Sequence, residues 1–144
     1  IYTLNENRAI TPEDIRHLFP EAHSSLYTMT EALKKGEYSQ FYNAVTQLLT
    51  QKVDPIYLMA IILSQLRLFT QVICSGGISM DQLAKKIGKN PYFLKRIQQD
   101  IRSHISPKRL KKMYEDASVA DLKIKTGQMN PQAAVRQFCG QMIG

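Results

Sequence analysis

Residues Ala120 to Pro131, ADLKIKTGQMNP, hold the end of one helix, a joint and the start of another. Upstream of the joint, Leu110, Met113, Ala117, then Ala120 or Asp121, and finally Ile124 keep the three-and-four spacing of one helix face. Lys123 and Lys125 fall in the last turn, where positive charge suits the negative end of the helix dipole. Thr126-Gly127 supplies the stop, because glycine adopts the left-handed conformation without a Cβ penalty. Asn130 then caps a new helix with Pro131 at its first position, where a missing N–H costs nothing. Ala134, Phe138 and Met142 share one four-residue register in that helix, beside Val135 and Cys139. The stretch therefore predicts a terminal hairpin of two apolar-faced helices, with Asp121 and Lys125 as a surface pair four apart.

Working back from the hairpin, the same punctuation recurs. Ser106-Pro107 opens the helix that ends at Lys125, and Asn90-Pro91 opens one whose Leu94, Ile97 and Ile101 face a core. Ser79 caps a short helix to Ile87, with Leu83, Ala84 and Ile87 inward and Gly88 as its stop. Asp54-Pro55 opens the longest apolar helix, Ile56 to Cys74, ended by Gly76-Gly77. Its Leu58, Ile62, Leu66, Phe69 and Ile73 form a stripe that Met59, Ile61 and Leu63 widen almost all round, the pattern of a central helix covered by neighbours. Phe41, Ala44 or Val45, Leu48 and Leu49 mark a helix to about Lys52. Leu26, Met29 and Leu33 mark another, from Ser24-Ser25 to Gly36. Thr11-Pro12-Glu13-Asp14 starts a short helix that Pro20 ends, read as the tail of a preceding domain over residues 1–23. The fold expected is all-α, an antiparallel bundle of about five to seven helices over residues 24–144, with no strand.

Composition agrees. The 144 residues are 44% hydrophobic and 22% charged, enough for one core but not for two full domains. Seven glycines, six prolines and no tryptophan argue against a sandwich or barrel. Ile1 in place of Met leads us to expect a piece of a longer chain. The apolar run Ile56 to Leu63 is shorter than the ~20 residues a bilayer requires, and no signal peptide is present, so no membrane partner and a cytoplasmic address are expected. Cys74 and Cys139 are expected as buried free thiols in a reducing compartment. The six methionines are expected to fill the core.

The net charge of +7 is concentrated. Lys85, Lys86, Lys89, Lys95, Arg96, Arg102, Lys108, Arg109, Lys111 and Lys112 face a single acid, Asp100, between residues 85 and 112. This stretch carries +9 and the rest of the chain −2. Leu83-Ala84, Gly88 and Leu94 with Ile97 also follow the rhythm of a helix-turn-helix. Two readings stand: a phosphate-facing, non-specific DNA contact, or the solvated basic side of a bundle. Pro91, Tyr92 and Phe93 occupy the start of the would-be recognition helix, where polar base-reading side chains belong.

Catalytic patterns are missing from the sequence. His17, His23 and His104 are scattered along the chain, and Gly76-Gly77 lacks the lysine and hydroxyl of a phosphate-binding loop. No catalytic residue, metal, cofactor or small-molecule substrate is expected.

Several segments, in order, resemble the C-terminal part of the delta subunits of bacterial DNA polymerase III, components of the clamp loader. They are Ile10-Thr11-Pro12-Glu13-Asp14-Ile15, Leu33 to Glu37, Asp54-Pro55-Ile56, Leu66-Arg67-Leu68, Leu83 to Tyr92, and Ala120 to Gly127. The last, with Asp121, Lys125, Thr126 and Gly127, is the most distinctive. The resemblance implies a helical collar from about Ser24 onward, by which clamp-loader subunits assemble into a ring of five for replication. It implies that residues 1–23 end a small lid domain, and that DNA polymerase (nucleotidyltransferase) activity resides in another subunit of the holoenzyme. The partners it implies are the other clamp-loader subunits, with weak, non-specific DNA contact.

Overall fold

The computed structural model describes residues 23–74 and 77–143. Seven helices and no strand are found among them: α1 (His23–Lys34), α2 (Tyr38–Thr50), α3 (Pro55–Ile73), α4 (Met80–Ile87), α5 (Pro91–His104), α6 (Pro107–Lys125) and α7 (Pro131–Ile143). The expected short helix after Thr11 lies outside the described residues, as does Gly76.

The helix boundaries follow from local chemistry. Asp54 Oδ1 accepts from the Ile56 N–H at 2.8 Å, and Pro55 takes the first position of α3. Ser79 caps α4 in a reciprocal box with Gln82, whose side chain returns a bond to the Ser79 N–H. Asn90 and Ser106 accept from the N–H groups of Tyr92 and Arg109. Asn130 accepts from Gln132 and Ala133 at the start of α7. The α6 stop is a Schellman turn: Gln128 N–H donates to the Lys123 carbonyl, Gly127 N–H to that of Ile124, and Gly127 has φ +73°. The same turn closes α2 with a lysine, Lys52, at φ +66°.

The helix expected to start at Ser24-Ser25 is present from His23, and Ser25 is buried in its first turn, its hydroxyl donating to Gln47 Oε1 across the α1–α2 hairpin at 3.2 Å. One local expectation needs correction. Cys74 is not buried. It follows the last turn of α3 and is exposed, whereas Cys139 is buried in α7.

Packing centres on α3. It lies against α5, α6 and α7, while α1 and α2 form a hairpin whose α2 reaches α7 and whose α1 reaches α5. Leu58, Met59, Ile61, Ile62, Leu66, Leu68, Phe69 and Val72 of α3 are buried. Phe69 is fully enclosed, as are Phe41 and Phe138, each contributing about 1.5–3 kcal/mol by burial. The helix has the length and composition to cross a membrane, but here neighbouring helices of the bundle cover its buried side chains. The terminal hairpin exists, with α6 on α7, yet α6 packs more extensively on α3 than on α7. Ala120, not Asp121, is the inward residue of that turn, while Ile87 and Ile124 are only partly buried against the core. Of the six methionines all but Met129 are buried.

Candidate functional site

The basic stretch spans α4, the Gly88 turn, α5 and the start of α6. Gly88 has φ +73°, and the Lys89 N–H donates to the Ala84 carbonyl, which turns the chain sharply between α4 and α5. Leu83 and Ala84 of α4 and Leu94, Ile97 and Ile101 of α5 are buried, so the remaining sides of both helices face water. Lys85, Lys86, Lys89, Lys95, Arg96 and Arg102 are all exposed. On α5 the outward side reads Tyr92, Lys95, Arg96, Gln99, Arg102 and Ser103, every one exposed. The stretch's one acid is turned away from its cations: Asp100 lies 3.7 Å from Lys34 of α1, which also pairs with Glu31 at 2.7 Å. Asp81 of α4 reaches Lys95 at 3.8 Å across solvent. His104 closes α5 at the surface, its Nδ1 2.8 Å from the Asp100 carbonyl.

The four of these ten cations that α6 carries divide. Lys108, Lys111 and Lys112 are exposed near the positive end of the helix dipole, with no acid in the first turn. Such placement weakens an isolated helix and concentrates positive potential there. Lys112 is partly offset by Asp116 at 3.1 Å. Arg109 leaves the patch. Its guanidinium carbon lies 4.7 Å from the centre of the Tyr38 ring on α2, and Nη2 donates to the Met142 carbonyl in the last turn of α7. Its Nε is buried without a hydrogen-bond partner among the described residues. The sequence held the signal: Arg109 stands four before Met113 and eight before Ala117, at the edge of the apolar stripe.

At the other end of α6, Asp121 and Lys125 pair at 2.8 Å, a contact worth a few tenths of a kcal/mol. Thr126 Oγ1 donates back to the Leu122 carbonyl at 2.8 Å, and Gly127 completes the turn. These four residues shape the corner between α6 and α7; nothing in their geometry is catalytic. The same outer face carries two apolar residues that the inward periodicity leaves over, Val119 at 51% and Leu122 at 59% exposure. The face is thus basic in its first half and apolar in its second. No group of three His, Cys, Asp or Glu side chains able to hold a metal occurs among the described residues.

Residues 23–142 match the family described as the DNA polymerase III delta subunit, C-terminal domain. The chain belongs to that family. It is 23% identical over 143 residues to the DNA polymerase III subunit delta of Bacillus subtilis strain 168, covering 97% of this chain and 41% of that protein. Among solved structures it resembles the Bacillus subtilis DNA clamp loader delta protein, with a TM-score of 0.68 and 23% identity, covering 90% of this chain and 39% of that one. The chain therefore spans about two-fifths of the relatives it matches. The likeness to the solved structure establishes the helical fold expected for a delta C-terminal domain.

Proposed function

We propose that this delta C-terminal domain is a collar, the oligomerisation element through which a clamp-loader delta subunit joins the other subunits that load the sliding clamp onto DNA in replication. The observation that carries the reading is the exposed pair Val119 and Leu122, one turn apart on the outer face of a long helix. Paired apolar side chains at such spacing are what a neighbouring helical domain covers. Family membership supplies the context, and the clamp-loader name of the structural relative belongs to that relative. In this reading residues 1–23 end a lid domain, the address is cytoplasmic, the chain takes no small-molecule substrate, and polymerase chemistry belongs to another subunit.

The test is reconstitution of the clamp loader with a full delta subunit carrying Val119→Glu and Leu122→Glu. Assembly, followed by gel filtration, should be lost while the helical circular dichroism and melting temperature stay near wild type, because both side chains are exposed. Normal assembly of that variant would refute the collar surface drawn here.

A second reading concerns the basic stretch, now nine cations without Arg109. Their exposure, and the pairing of Asp100 with Lys34, favour a weak, non-specific DNA contact over a helix-turn-helix that reads bases. Reversing Lys95, Arg96 and Arg102 to Glu should lower DNA affinity and its salt dependence without disrupting assembly. Selection of one DNA sequence over others by several kcal/mol would instead favour the helix-turn-helix reading.

A further inference from the structure

The first turn of α5 presents aromatic rings that the core does not use. Tyr92 is 84% exposed and Phe93 45%, whereas Phe41, Phe69 and Phe138 are fully enclosed and Tyr38, Tyr42, Tyr57 and Tyr114 pack against the core. The two rings stand on a fixed base. Pro91 occupies the first helical position, and Asn90 Oδ1 accepts from the Tyr92 N–H at 2.8 Å. Cations accompany Tyr92: Lys95 Nζ is 6.0 Å from its ring centre, exposed Arg96 follows it by one turn, and exposed Lys89 precedes it in the Gly88 turn. Gln99, Arg102 and Ser103 continue the same face down the helix, also exposed. Asp81, paired with Lys95, is the acid on this side.

We propose that this face binds single-stranded nucleic acid, with unpaired bases stacking on Tyr92 and Phe93 and phosphates held by Lys89, Lys95 and Arg96. An aromatic ring on the solvent side of a helix has little to offer a duplex, whose base faces are covered by their neighbours. An unpaired base exposes its π-face, and stacking on a protein ring is indifferent to which base it is. Cations around the rings also suit a polyanion better than an apolar protein surface, which would meet them unpaired. The proposal rests on the phosphate-facing reading of the basic stretch and is independent of the collar.

The test uses fluorescence anisotropy of a labelled thymidine oligonucleotide of about 15 nucleotides, within the range of single-strand sites, and of a duplex of equal length, at several salt concentrations. The purified chain should bind the single strand more tightly than the duplex, with affinity falling steeply as salt rises. Tyr92→Ala should weaken single-strand binding by about 5- to 150-fold and leave duplex binding unchanged, whereas Tyr92→Phe, which keeps the ring, should bind like wild type. Replacing Lys95 and Arg96 by Gln should reduce the salt dependence for both. If Tyr92→Ala binds the single strand as well as wild type while the salt dependence persists, stacking is overturned and the phosphate-facing reading survives. If neither nucleic acid binds at low salt, both are overturned.

Discussion

Truncating Arg109 to Ala separates a residue that holds the bundle together from neighbours that share its charge. The guanidinium joins three helices: it extends from α6, lies against Tyr38 at the start of α2, and donates to the Met142 carbonyl near the end of α7. A hydrogen bond from a charged donor contributes about 1.5–3 kcal/mol. The contact with the ring adds about 1 kcal/mol, and the negative end of the α7 dipole a few tenths more. Against these stands the buried Nε, whose desolvation costs about 1 kcal/mol and is relieved by truncation. The net loss is about 2–3 kcal/mol. At about 3–5 °C per kcal/mol for a domain of this size, the melting temperature should fall by about 6–15 °C. Thermal unfolding followed by circular dichroism reads this directly. Lys108→Ala, one residue earlier and exposed, should stay within about 0.5 kcal/mol of wild type. If the nine exposed cations contact DNA, the salt dependence should respond in the opposite order. Removing a phosphate contact lowers the logarithmic slope by about 0.7–0.9, which applies to Lys108 and not to Arg109. An Arg109→Ala variant with the wild-type melting temperature would refute the three-helix role. An equal loss of salt slope in both variants would show that Arg109 faces nucleic acid after all.

Other expectations concern backbone and thiols. Gly36 and Gly127 have φ of +69° and +73°, but a Cβ at Gly36 would lie 3.2 Å from the His104 carbonyl oxygen while one at Gly127 would meet nothing within 4 Å. Gly127→Ala should therefore cost about 1–2 kcal/mol by conformation alone, and Gly36→Ala more; equal losses in denaturant melts would contradict the close approach of α1 to the end of α5. Lys52→Gly should raise stability by about 0.5–1 kcal/mol, since Lys52 holds a left-handed conformation that glycine adopts freely; a lower denaturation midpoint would exclude it. A thiol reagent should modify Cys74 rapidly in the native chain and Cys139 only after unfolding. Burial, partly opposed by Arg136, pushes the Cys139 thiol from 9.0 up to about 12. Because the unfolded chain ionises this thiol first, its contribution to stability is complete below pH 9 and declines as pH rises towards 12. A Cys139→Ala variant should lose that part of the alkaline decline, and an identical pH profile would refute the assignment.

The sequence by itself determined the helices, because their ends are settled within a few residues. Asp54, Ser79, Asn90, Ser106 and Asn130 each satisfy N–H groups two or three positions away, and Gly36, Gly88 and Gly127 supply backbone angles that need no distant partner. Apolar periodicity likewise marked the inward faces of α5 and α6, and with them the exposed side that carries Lys95, Gln99 and Arg102. Only the tertiary structure decided what those faces meet. The all-round apolar pattern of α3 had marked it as central, but which helices cover it, α5, α6 and α7, depends on how separate helices dock. Periodicity set Arg109 at the edge of the apolar stripe, but its partners, Met142 on α7 and Tyr38 on α2, and the pairing of Asp100 with Lys34 lie 33, 71 and 66 residues away, and no local pattern names them. Tyr92 and Phe93 show the division most clearly. In the sequence they spoke against base reading in a helix-turn-helix, but their exposure depended on whether another helix covers the start of α5. Local hydrogen bonds and steric limits fix the helices one at a time; long-range packing selects which remaining surface stays open for a partner.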